Sequence, residues 1–184
     1  MRSTRMTLPA RTSEDADDRM LRWAALFFTV AVLLHNSDHA RRGGRAVSTD
    51  LFAVGSLAIL LEVGVVVLVL QRHRFAPLAA AATGFSLAIG YVVAHVLGPR
   101  GWVSDPLFSG GASRLSQAAA ILEIAAALTL GAVGTVVLRR RTGLAATASE
   151  HGAARPLASA LREPAAVAMI FGNAIIFAVT VATL

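Results

Sequence analysis

Five apolar runs constrain this chain more than any other feature. Each is close to the roughly 20 residues an α-helix needs to cross a hydrocarbon core about 30 Å thick. They extend from Met20 to about His39, from Ser48 or Asp50 to Leu70, from Pro77 to about Leu97, from about Leu115 to Leu138, and from Pro164 to Leu184. Charged residues make up 15% of the chain, against about 25% in soluble domains, so water is not the solvent these runs face. The expected fold is all-α: an integral membrane helix bundle of five transmembrane helices, a core of four plus a C-terminal fifth. The fifth has the fewest flanking anchors, and four spans with a peripheral helix is the alternative.

The segments between the runs set the organisation. Residues 1–19 mix Arg with Asp, Glu, Ser and Thr and hold no apolar core; they read as a mobile cytoplasmic tail, not a cleavable signal. The transmembrane core then covers 20–141, a polar linker 142–163, and the fifth helix 164–184. Gly43-Gly44 ends the first helix, Pro77 suits the first turn of the third, and Gly98-Pro99 terminates it. The loop from Gly98 to Arg114, with Trp102 and Phe108, is expected to rest on the interface as a lid. With five alternating spans, twelve arginines fall on the N-terminal side and five on the other. The positive-inside rule then predicts a plasma- or inner-membrane protein with a cytoplasmic N-terminus and an external C-terminus.

Composition removes several functions. All 17 basic residues are Arg, clustered at the ends of apolar runs, a pattern that reports topology and not a nucleic-acid surface. The absence of Cys excludes disulfides and iron-sulfur clusters, so any metal must be held by nitrogen and oxygen donors. The glycine pairs follow no strand, which argues against a phosphate loop, and there is no Gly-x-Ser-x-Gly elbow.

The chemistry concentrates where the polar residues of different runs reach one depth. The first helix ends in His35, Asp38, His39 and Arg42, spaced to share one face. His95 lies near the same end of the third helix. Glu123 lies eight residues into the fourth, roughly 12 Å down, and Glu62 twelve residues below Asp50, roughly 18 Å down. The small-residue faces Gly84, Ala88, Tyr91, His95 and Ser116, Ala119, Ala120, Glu123, Ala127, Gly131 should look inward, as should Gly55, Ala58, Glu62. No Arg or Lys stands at the depth of either glutamate, so each must be protonated, hydrogen-bonded, hydrated or bound to a cation.

The sharpest reading is a transition-metal site for Zn, Fe or Mn, with His35, His39, His95 and Glu123 as ligands and Asp38 or Glu62 as supporting partner or further ligand. The H-x-x-x-H spacing of His35 and His39 resembles one histidine box of the membrane fatty-acid desaturases and hydroxylases. That family carries several such boxes and this chain has five histidines in all, so no family is assigned. Neither glutamate is followed by His at i+3, unlike the soluble di-iron bundles. Haem b between His35 and His95 is a further reading, and a proton-conducting or transport relay through Glu62, Glu123 and His35 another. The plainest is an accessory or assembly subunit of a larger membrane complex, or a homo-oligomer, in which Asp38 and Arg42 form an exposed pair and Tyr91 and Gln117 serve the glutamates as hydrogen-bond donors.

Overall fold

The computed structural model describes residues 11–43, 49–96 and 112–149. They form four helices and no strand: α1 Arg11–Arg42, α2 Thr49–Leu70, α3 Ala76–His95 and α4 Arg114–Ser149. Each contains a stretch long and apolar enough to cross a membrane. The expected fifth helix at 164–184 lies outside the described residues, as does the expected lid from Gly98 to Arg114 apart from its last three residues, 112–114.

Two boundaries differ from the sequence expectation. α1 begins at Arg11 instead of Met20, so the second half of the expected mobile tail is helical, and α4 continues to Ser149 through Arg139, Arg140, Arg141 and the start of the expected linker. At about 1.5 Å per residue, their 32 and 36 residues are about 48 and 54 Å long, well beyond a 30 Å core. Charge marks where a helix leaves lipid, not where it ends, and here the two polar extensions hold each other. Asp17 accepts a hydrogen bond from Arg140 at 2.9 Å and Asp18 from Arg141 at 2.8 Å. Asp17 is 3% exposed, although it lies in a segment the sequence assigns to water.

The other ends follow local chemistry. Gly43, at φ +86°, terminates α1 in the left-handed region that glycine enters without a Cβ clash. α2 closes with paired hydrogen bonds, His73 N–H to the Leu68 carbonyl at 2.9 Å and Arg72 N–H to the Val69 carbonyl at 3.1 Å. This is a Schellman turn, and Arg72 takes its left-handed position at φ 52° where glycine is usual. The turn brings Arg72 to Asp15 at 3.4 Å and Asp18 at 3.5 Å. Pro77 lies in the first turn of α3, where its missing N–H costs nothing.

Each helix has two principal neighbours, so the four close a ring in which α1 packs on α2 and α4, and α3 on α2 and α4. α1 and α4 are antiparallel: Asp17 meets Arg140 at one end, and Arg41 reaches Ser116 at the other. The centre holds Phe28, Val65, Leu87, Leu130 and Val137 among many alanines, while Leu33, Leu60, Val63 and Ile121 point outward. Leu60 is 69% exposed, the reverse of a water-soluble bundle and the pattern expected when lipid is the solvent.

In lipid, burial of apolar surface does not drive helices together, so close backbone approach must. The α3–α4 contact shows it. A Cβ added at Gly84 would lie 2.7 Å from the Ala127 carbonyl oxygen and against the backbone of Gly131. One added at Gly134 would lie 2.5 Å from the Ala81 nitrogen and 2.7 Å from the Pro77 carbonyl oxygen. Of the faces named from the sequence, Gly84, Ala88 and His95 on α3 and Ser116, Ala119, Ala120, Glu123, Ala127 and Gly131 on α4 are buried and Tyr91 is partly buried; on α2, Ala58 and Glu62 are buried, while Gly55 is partly buried and a Cβ there would meet nothing within 4 Å.

Candidate metal centre

The helical period delivers the polar side chains to one end of the ring. On α1, His35 and Asp38 are buried, while His39 and Arg42 on the same face are partly buried; Leu34 and Ser37 point away. Asn36 turns back on its own helix, donating to the Val32 carbonyl at 2.9 Å, and takes no part in the cluster. α3 contributes His95 and, one turn below it, Tyr91. α4 contributes Glu123, 1% exposed, and α2 contributes Glu62, 5% exposed.

The three histidines converge. One ligand nitrogen from each of His35, His39 and His95 can be chosen so that all lie within 4.8 Å of one another. The His35 ring meets His39 edge-on at 4.4 Å between centroids and His95 at 4.8 Å. His35 Nε2 also stands 3.5 Å from Glu123 Oε2, which ties α1 to α4 at the same level. Two donors on one tetrahedral ion, each about 2.0–2.1 Å from it, sit about 3.3 Å apart. The widest histidine pair must therefore close by about 1.5 Å around an ion, a distance that side-chain rotation covers.

For neutral rings the hydrogen bonds imply one set of tautomers. A guanidinium N–H can only donate, so His39 Nδ1 accepts from Arg42 Nη2 at 2.8 Å. A neutral His39 then carries its proton on Nε2 and donates it to His35 Nε2 at 2.7 Å. His35 in turn holds its own proton on Nδ1. The contact between His35 and His39 is thus two metal-binding edges facing each other with one proton between them.

Asp38 is placed differently from the other sequence candidates. It is 4% exposed, and its two oxygens are taken by arginines: Oδ1 accepts from Arg41 Nη2 at 2.6 Å, and Oδ2 faces Arg42 Nε at 3.0 Å. The pair expected to be exposed is a buried carboxylate under two guanidinium groups. Arg41 continues to Ser113 at 3.3 Å and Ser116 at 3.4 Å, fastening the end of α1 to the start of α4.

Below the histidines the two glutamates share one phenol. The Tyr91 hydroxyl donates to Glu62 Oε1 and also reaches Glu123. Glu62 Oε2 and Glu123 Oε2 are buried and accept no hydrogen bond. Five of the six sequence candidates therefore lie in one connected cluster, with Tyr91 as the link and Asp38 held beside it. The sequence reading missed Arg41 as a clamp and the ion pairs of Asp17 and Asp18 with α4. The signal available for the latter was three acidic residues before the first span and three arginines after the fourth, which an antiparallel α1–α4 pair must bring together.

The fold and the site together describe a bundle of membrane-length helices with a buried histidine–carboxylate cluster near one end. No family model matches the chain, and neither does any curated protein or solved structure.

Proposed function

We propose that this is a multi-pass membrane protein that binds a transition-metal ion through His35, His39, His95 and Glu123. The observation that carries the reading is the convergence of three histidine donors from two helices within 4.8 Å, with a buried carboxylate alongside. The His35–His39 hydrogen bond accounts for that pair alone; the approach of His95 from a second helix and of Glu123 from a third favours a shared ion. Nitrogen and oxygen donors favour Zn, Fe or Mn, and an iron or manganese centre would give the site redox chemistry. Haem b fits less well. Axial ligands sit on opposite faces of a porphyrin, whereas His35 and His95 touch edge to face with no slot between them.

Coordination through His39 Nε2 requires its proton to move to Nδ1. Arg42 must then leave the ring, and Asp38 Oδ2, already 3.0 Å from Arg42 Nε, is placed to take more of its charge. The excess of arginine on the Asp17–Arg140 side supports a cytoplasmic location for that end, with the histidines at the outer face and within reach of metal from outside the cell. Purification in mild detergent followed by elemental mass spectrometry tests the reading. One ion per chain, lost in His35→Ala and His95→Ala variants that keep their helical content, is expected. Metal-free protein that takes up no Zn(II), Mn(II) or Fe(II) on addition would refute it.

A further inference from the structure

The histidine site uses Glu123 and leaves Glu62, and the pairing of the two glutamates, unexplained. Glu62 and Glu123 are 5% and 1% exposed, and no basic residue lies in the sequence between Asp50 and Gln71 on α2 or between Leu115 and Leu138 on α4. One hydroxyl serves both. A tyrosine has a single O–H, and that of Tyr91 is donated to Glu62 Oε1. Its lone pairs are all it can offer Glu123, so the phenol cannot satisfy both carboxylates as a donor. Two buried oxygens, Glu62 Oε2 and Glu123 Oε2, then remain without a hydrogen bond. In the outward direction Glu123 Oε2 meets His35 Nε2 at 3.5 Å, so Glu123 borders both the histidine cluster and the carboxylate pair.

We propose that Glu62 and Glu123 form a second cation site beneath the histidines, with Tyr91 beside it and Glu123 bridging the two, so that the centre holds two divalent ions. The inference rests on the histidine site described above. The second ion would be a hard one such as Mn(II) or Fe(II), because its protein donors are oxygens, completed by water. A shared carboxylate is how paired ions are commonly held about 3.5–4 Å apart. This arrangement differs from the soluble di-iron bundles, since its histidines gather on one side and neither glutamate is followed by a histidine at i+3.

Metal-free full-length protein in detergent, titrated with Mn(II) and read by elemental analysis and electron paramagnetic resonance, tests the proposal. Two ions per wild-type chain with an exchange-coupled spectrum are expected. Glu62→Gln should bind a single ion with an isolated-ion spectrum, and Glu62→Asp should restore part of the second. A single uncoupled ion in the wild type would overturn the second site and leave the histidine site standing. Two coupled ions in Glu62→Gln would overturn the assignment of Glu62. No Mn(II) binding would overturn the second site, and failure to take up Zn(II) and Fe(II) as well would overturn both. The wild-type stoichiometry and spectrum decide the question even where a Glu62 variant does not fold.

Discussion

Replacing Gly84 by Ala separates the backbone account of this bundle from one based on apolar content. The added Cβ would sit 2.7 Å from the Ala127 carbonyl oxygen, against an ordinary contact of 3.4 Å or more, and it also meets the Gly131 backbone. No side chain can swing aside, and the Gly131 nitrogen is nearer still, so α3 and α4 must part locally by about 1 Å. Overpacking of this kind costs about 1–3 kcal/mol, and a contact that is backbone on every side belongs at the upper end. Alanine's better helix propensity returns about 0.8–1.0 kcal/mol, leaving a net loss of about 2 kcal/mol. Gly134→Ala should match it, because that Cβ meets Ala81, Pro77 and Ala80 backbone atoms. Gly131→Ala meets the Phe85 ring at 3.0 Å, which can turn away, and should lose less. Gly55→Ala meets nothing within 4 Å and should be neutral or slightly stabilising. The assay is reversible unfolding in detergent, followed by circular dichroism, across the four variants. Gly84→Ala as stable as Gly55→Ala would refute the reasoning.

Other expectations follow from the polar contacts. Tyr91→Phe leaves buried Glu62 without its donor and should destabilise by about 1–3 kcal/mol in the metal-free protein. Most of that loss should vanish in a Glu62→Leu background, which removes the acceptor, and strict additivity in the double-variant cycle would contradict the bond. Asp17→Asn should cost about 1 kcal/mol and be coupled to Arg140→Gln, with the coupling shrinking in high salt because Arg140 is 58% exposed on its side chain. Additive losses there would mean that the extended helix ends do not hold each other. Arg42→Gln removes a cation and an opposing donor from His39 Nδ1, so metal affinity measured by competition with a chelator should rise about tenfold, which is about 1.4 kcal/mol. Weaker binding in that variant would show that Arg42 supports the site and does not compete with it.

How much of this was written in the sequence differs from element to element. The four described spans were legible because lipid imposes a length and a polarity that few sequences meet by accident. The inward faces were legible because close approach in lipid demands small residues at helical spacing, as at Gly84 and Gly131. The meeting of His35, His39, His95, Glu123 and Glu62 followed from depth, since 1.5 Å per residue converts position into level once helix directions alternate. The helix ends of α1 and α4 were not legible, because the rule used to end a span measures departure from lipid. Asp17 and Asp18 stay helical on account of arginines more than 120 residues away, a contact that no local pattern announces. The exposed Asp38–Arg42 pair of the accessory-subunit reading differs from the structure for a related reason. The i+4 partner of Asp38 was visible, but the second guanidinium from Arg41 and the serines of α4 that enclose the pair depend on the fold.

The metal content of the purified protein tests the central claim most directly. Elemental mass spectrometry on chain purified in mild detergent without added metal or chelator should find Zn, Fe or Mn at one equivalent or more. The His35→Ala variant should fall to background while keeping its helical spectrum. Protein that is metal-free, takes up none of these ions when they are supplied, and is unchanged in stability by their addition would contradict the account. The convergent histidines would then be a packing arrangement alone.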